Sequence, residues 1–159
     1  MADREARPLR DLARPPDFTS FYRSQYTPMV RFAHLLTGSS SIGEEIVQDA
    51  FIALSQRWDH VDNPGGYLRT SVLNLSRGYH RRQAVERKHA PRPDRPIGLP
   101  EVDEMWAKVK ALPTEFREVI VLRFYEDLQV DEIADVLKVP AGTIKSRIHR
   151  GLARLREVV

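Results

Sequence analysis

Near the end of the chain, Lys145, Ser146, His149 and Arg150 recur at helical spacing on one face, with Ala153 one turn further on. Ile144, Ile148, Leu152 and Leu155 share the opposite face. Lysine and arginine in such a row donate to guanine O6 and N7 or to phosphate oxygens, and a serine hydroxyl serves either. Arg147 and Arg154 flank the row and suit phosphates, while Gly142 and Thr143 at the helix start offer backbone N–H groups to an anion. A second cationic face lies upstream. Arg69, Thr70, Asn74, Arg77 and Arg81 fall opposite Leu68, Val72, Leu75 and Tyr79. A cationic track with hydrogen-bonding groups suits single-stranded nucleic acid, whose base edges are open. Tyr67 heads that helix, where an aromatic residue stacks on a base or, more commonly, packs; Trp58 is read as core.

A third set is acidic. Glu44, Glu45, Gln48, Asp49 and Gln56 occupy one side of a helix whose other side is Ile42, Ile46, Val47, Ala50, Phe51 and Leu54, continuing to Trp58. Such a face can meet a basic partner with salt-dependent steering. The same acids, with His80 and His89, raise the rival of a metal-dependent nuclease. No HExxH, GxSxG or P-loop pattern accompanies them, so no enzymatic activity, cofactor or metal site is expected. With no cysteine, the chain has no disulfide, thiolate zinc site or thiol nucleophile.

The chain has 159 residues and a formal charge of +3, which allows one ordinary domain or two small ones. Charge is segregated. Residues 39–56 sum to −3, 77–95 to +5, 101–137 to −6 and 138–156 to +6. Two separate basic blocks suggest two contacts on a polyanion. The longest apolar run is the five residues Ala50–Leu54, far short of the ~20 that span a bilayer. The N-terminus lacks the apolar stretch of a secretory signal. A cytoplasmic protein without membrane insertion is the expectation.

These faces need helices to position them. Residues 1–17, with three prolines, read as a flexible leader. Phe18, Tyr22, Tyr26, Met29, Ala33 and Leu36 predict a first helix, kinked or restarted at Pro28 and stopped by Thr37-Gly38. Ser41 and Glu44 have capping-box spacing for a second helix. Asp62–Gly66 reads as a turn, and a third helix is expected over 67–87. Residues 89–100 hold four prolines and read as a linker that can extend roughly 40 Å. Beyond it, Val102, Met105, Trp106, Val109 and Leu112 form one apolar stripe. Phe116, Val119, Ile120 and Phe124 form the next, after a break at Pro113-Thr114. A short helix over 130–137, a turn through Val139-Pro140 and a helix over 141–157 have the helix-turn-helix order. No strand pattern is present. The fold class expected is all-α, with two small helical domains joined by the proline-rich linker.

Residues 112–119, 131–134 and 140–150, beginning Leu112-Pro113-Thr114-Glu115, closely resemble region 4 of bacterial extracytoplasmic-function sigma factors of the sigma-70 family. Glu44-Glu45-Ile46-Val47-Gln48-Asp49-Ala50-Phe51 resembles region 2.2. Pro64-Gly65-Gly66-Tyr67-Leu68 with Asn74-Leu75 resembles regions 2.3 and 2.4. The resemblance covers residues 18–88 and 101–157 in the family's order. It implies a protein that binds core RNA polymerase, recognises the −10 and −35 promoter elements and promotes melting. By resemblance, Glu45, Gln48, Asp49 and Gln56 contact the clamp helices of the beta-prime subunit, with the beta subunit a further contact. Tyr67, Arg69, Asn74, Arg77 and Arg81 meet the −10 element, Asn74 holding a flipped base in a pocket that includes the 59–66 loop. Thr143, Lys145, Ser146, Arg147, His149 and Arg150 read the −35 duplex. An anti-sigma factor is the further partner implied. The implied domains are 18–88 for core and −10 binding and 101–159 for −35 binding. The family often has glycine where Asp127 and Lys138 stand, and serine or threonine where Gln129 stands. Lys138 is accordingly expected to carry left-handed strain, and Gln129 to be a weaker cap. The rival, a helix-turn-helix regulator acting without polymerase, accounts for residues 130–156 but not for the acidic helix or the Asn74 helix.

Overall fold

The computed structural model describes residues 17–86 and 104–157. The expected linker 89–100, Val102, and the leader apart from Asp17 lie outside the described residues. The chain divides into two compact units, Met1–Ile97 and Gly98–Val159. Every described regular element is helical, giving the all-α class with two small helical domains.

The first unit is a three-helix bundle of α1 (Phe18–Thr37), α2 (Ser40–Gln56) and α3 (Pro64–Val85), with a 3-10 turn at Trp58–His60. Asp17 belongs to the structured unit: its carboxylate caps α1 by accepting from the Ser20 N–H at 2.7 Å. α1 runs unbroken through Pro28, so the proline does not restart the helix. Gly38 ends it at φ 76°, its N–H bonded to the His34 carbonyl at 2.8 Å. The cap of α2 is Ser39, not Ser41, because Ser39 Oγ accepts from the Ile42 N–H at 3.3 Å. Gly43 lets α1 and α2 touch backbone to backbone, since a Cβ there would stand 3.1 Å from the His34 nitrogen. Ser40 Oγ and His34 Nδ1 share a buried 3.1 Å hydrogen bond beside that contact.

Residues 64–66 begin α3 rather than forming a turn. Asn63 Oδ1 accepts from the Gly66 N–H at 3.0 Å and Pro64 takes the first helical position, where its missing N–H costs nothing. α3 packs against both α1 and α2, which widens its buried face. Leu68, Arg69, Val72, Leu73 and Ser76 are buried, while Leu75 and Tyr79 are only half-buried. Ser76 tolerates burial because its hydroxyl donates to the Val72 carbonyl at 2.8 Å. His80 Nε2–H donates to the Leu36 carbonyl at 2.9 Å, tying α3 to the end of α1. Trp58 packs its ring on Phe18 and Phe21, with centroids 5.6 and 5.5 Å away.

The second unit contains α4 (Glu104–Lys110), α5 (Thr114–Ile120), a π-helical turn (Val121–Tyr125), α6 (Val130–Leu137) and α7 (Ala141–Glu157). The π turn is marked by the Glu126 N–H reaching back five residues to the Val121 carbonyl, at 3.1 Å. It shifts the register of the apolar stripe, so Phe124 is 51% exposed rather than core. Met105 also points outward, while Trp106 makes an edge contact with Tyr125 at 5.9 Å. Arg123 Nη1 donates to the Leu128 carbonyl at 3.2 Å and lies 3.7 Å from the Asp127 carboxylate, bracing the loop into α6. Asp127 and Lys138 both have positive φ, 54° and 57°. Gln129 precedes α6, and the Glu132 carboxylate accepts from its N–H at 2.7 Å, which supplies half of a capping box. Arg117 donates to the Leu112 carbonyl at 2.8 Å. Burial pushes its guanidinium below the ordinary arginine value, and neighbouring Glu118 opposes the shift.

Candidate nucleic-acid and partner-docking surfaces

α7 is seated by a glycine. A Cβ at Gly151 would lie 3.1 Å from Ile120 Cγ1 and 3.4 Å from Phe116 Cβ, so α7 crosses α5 closely. Ile144 and Leu155 are buried against this contact, and Lys145, Ser146, His149 and Arg150 are exposed. Thr143 and Arg147 are half-buried. Thr143, Ser146, Arg147 and Arg150 line a shallow depression of about 410 Å³, with Glu115 and Phe116 of α5 on its other wall. Two guanidiniums, two hydroxyls and the start of a helix there form a concave, cationic, hydrogen-bonding surface. Arg154 departs from its expected place beside the phosphates: its guanidinium lies over the Phe116 ring, 4.9 Å from the centroid. Glu115 and Phe116 border the surface without having been expected there. Only the α5–α7 crossing reveals them, because they stand more than 25 residues before α7.

On α3 the cationic face is narrower than expected. Asn74 and Arg81 are exposed, and Tyr67 and Arg77 are half-buried. Arg69 is 5% exposed and is corrected from surface to interior. It sits four residues before Leu73 and seven before Ser76, on the flank that packing between two helices covers. The exposed track therefore runs from Asn74 to Arg81, with Arg82 beside it. On α2, Glu45, Gln48, Asp49 and Gln56 are all exposed, and Glu44 is half-buried. They share the side opposite buried Ile46, Val47, Ala50 and Leu54. Among the described residues no helix is long and apolar enough to cross a membrane, and no group of histidines and acids is arranged to hold a metal ion.

A bundle with an acidic helix face and a basic one, in a chain with a separate helix-turn-helix unit, defines a two-module DNA-binding architecture. Residues 21–85 match the family model for sigma-70 region 2, and residues 109–157 match that for sigma-70 region 4. The RNA polymerase sigma-E factor of Streptomyces avermitilis is 29% identical over 152 residues, which span 89% of this chain and 84% of that protein. The ECF RNA polymerase sigma factor SigE of Mycolicibacterium smegmatis is 30% identical, over 92% of this chain and 63% of its own. Among solved structures, the sigma factor RpoE of Bartonella quintana, in complex with the anti-sigma factor NepR, superposes with a TM-score of 0.74 at 22% identity. That match covers 90% of this chain and 96% of RpoE. CnrH, in complex with the cytosolic domain of CnrY, superposes with a TM-score of 0.64 at 23% identity, over 89% and 86%. The chain belongs to the sigma-70 family, within its extracytoplasmic-function group, and functions as a sigma factor.

Proposed function

We propose that the chain docks on the beta-prime clamp helices of core RNA polymerase through Glu45, Gln48, Asp49 and Gln56, and reads promoters with its two basic helices. α7 enters the −35 major groove. Lys145, Ser146, His149 and Arg150 face base edges, and Thr143 and Arg147 hold backbone phosphates. α3 meets the −10 element as the strands part, Asn74 bonding an exposed base while Arg77 and Arg81 follow the backbone. Tyr67, half-buried, stays at the edge of this site, and Arg69 is left out of it. The domain assignment that follows is 18–88 for core and −10 binding and 101–159 for −35 binding.

One observation carries this reading: a single chain exposes an acidic helix face and two separate basic helix faces, only one of which belongs to a helix-turn-helix. A regulator binding duplex DNA alone has use for one. The chain acts in the cytoplasm as a non-catalytic subunit, leaving the polymerisation chemistry to core. An anti-sigma factor fits as a further partner, because the structurally similar RpoE is found in complex with one.

The test combines pull-down with core polymerase and run-off transcription on a genomic DNA library. Promoter-dependent transcripts sharing two spaced elements are expected. Absence of a complex with core sinks the reading and leaves the lone regulator.

A further inference from the structure

α2 turns one aliphatic side chain outward from the middle of its polar face. Ile52 is 57% exposed. It stands four residues after Gln48, three after Asp49 and four before Gln56, so all three are its neighbours on the helix surface. The adjacent Phe51 ring is covered by α1. Tyr22 lies 4.8 Å from it and Tyr26 6.3 Å, centroid to centroid, and Tyr22 remains 37% exposed. The surface thus has an aliphatic and aromatic centre with a rim of acids and amides. Buried apolar anchors within a polar rim are the anatomy of an energetically concentrated protein interface. A nucleic acid does not fit, because residues 39–56 carry Glu44, Glu45 and Asp49 and no base. The complementary occupant is a basic helical segment bearing an apolar side chain opposite Ile52.

We infer that Ile52, flanked by Tyr22, is the apolar anchor of the docking surface for core RNA polymerase, and that the surrounding acids govern encounter rather than residence. This rests on the docking reading above. Charges on the rim set the association rate and its salt dependence, whereas a desolvated anchor sets the dissociation rate.

The test titrates the full-length chain, fluorescently labelled, with purified core polymerase at several salt concentrations. Ile52→Ala is expected to weaken binding about tenfold through faster dissociation, with the salt slope unchanged. Asp49→Asn lowers the salt slope with a smaller loss of affinity. Ile52→Asp is decisive: it adds an acid, so a purely electrostatic surface binds as well or better, whereas the anchor predicts a larger loss than for alanine. Ile52→Leu restores most of the affinity. All Ile52 variants should bind a −35 duplex as the parent does, which reports an intact fold. Parental affinity in both Ile52→Ala and Ile52→Asp overturns the anchor and leaves the docking reading standing. Failure of the parent itself to bind core overturns the docking reading.

Discussion

Lys138 closes α6 at φ 57° and ψ 45°, with its N–H bonded to the Ala134 carbonyl. Holding a side-chain-bearing residue in the left-handed region costs about 1–2 kcal/mol, and glycine avoids that cost. Glycine also gives the unfolded chain more freedom, which removes about 0.5–1 kcal/mol of the gain. Lys138→Gly should therefore stabilise the second unit by about 0.5–1 kcal/mol. For a domain near 60 residues this raises Tm by about 2–8 °C. Thermal scans of the full chain by circular dichroism at neutral pH measure it. Asp127→Gly provides an internal comparison. Its φ of 54° is relieved too, but the substitution removes the 3.7 Å ion pair with Arg123, an exposed contact contributing about 0.3–0.5 kcal/mol. Aspartate also tolerates the left-handed region better than lysine, so its gain should be the smaller of the two. A lowered Tm for Lys138→Gly refutes the strain argument and shows that the lysine side chain contributes more than its backbone costs.

Asn74→Ala should impair open-complex formation, followed by permanganate footprinting, more than it impairs binding to a −35 duplex; equal losses refute the division between α3 and α7. Arg150→Ala should cost about 1–3 kcal/mol in −35 affinity if it reads a base, seen in competition binding with altered −35 sequences; unchanged affinity and preference refute that role. Gly43→Val should destabilise the first unit by about 1–3 kcal/mol in urea unfolding, because the His34 backbone 3.1 Å away cannot yield as a side chain would. Backbone and side-chain hydrogen bonds from Ser20, with help from Arg23, hold the Asp17 carboxyl below its ordinary value. Its cap is complete above the unfolded carboxylate pKa of ~3.9 and is lost as pH falls through the lower folded value. Amide exchange at Ser20 in acid should report that loss, and Asp17→Asn should remove the pH dependence.

The helix-turn-helix was legible because its boundaries are written in local residues. Val130–Leu137 and Ala141–Glu157 stand where the apolar spacing and Pro140 put them. Capping was less so: Ser39 and Ser41 are equally good caps in isolation, and the chain leaving Gly38 in the left-handed region selects Ser39. Pro64-Gly65-Gly66 has turn composition, yet Asn63 ahead of it converts the proline into a helix start. Arg69 was misplaced because a periodicity argument assumes one covered stripe, and α3 is covered by two helices. The exposed acids of α2 and the exposed cations of α7 lie where helical spacing places them, since one side of each helix is clearly apolar. The wall formed by Glu115 and Phe116 had no local signature at all.

The π turn at Val121–Tyr125 has a consequence for insertions and deletions. Such a turn holds one residue more than an α-helical turn. Removing a single residue there lets α-helical hydrogen bonding resume, at no cost to the backbone. Everything downstream, however, rotates by about 100° and draws in by about 1.5 Å relative to α5. Gly151 then no longer faces Ile120, and α7 loses the crossing that aims its cations. Length variation in this unit is thus confined to its ends, while the five residues between α5 and the α6 loop act as a fixed spacer.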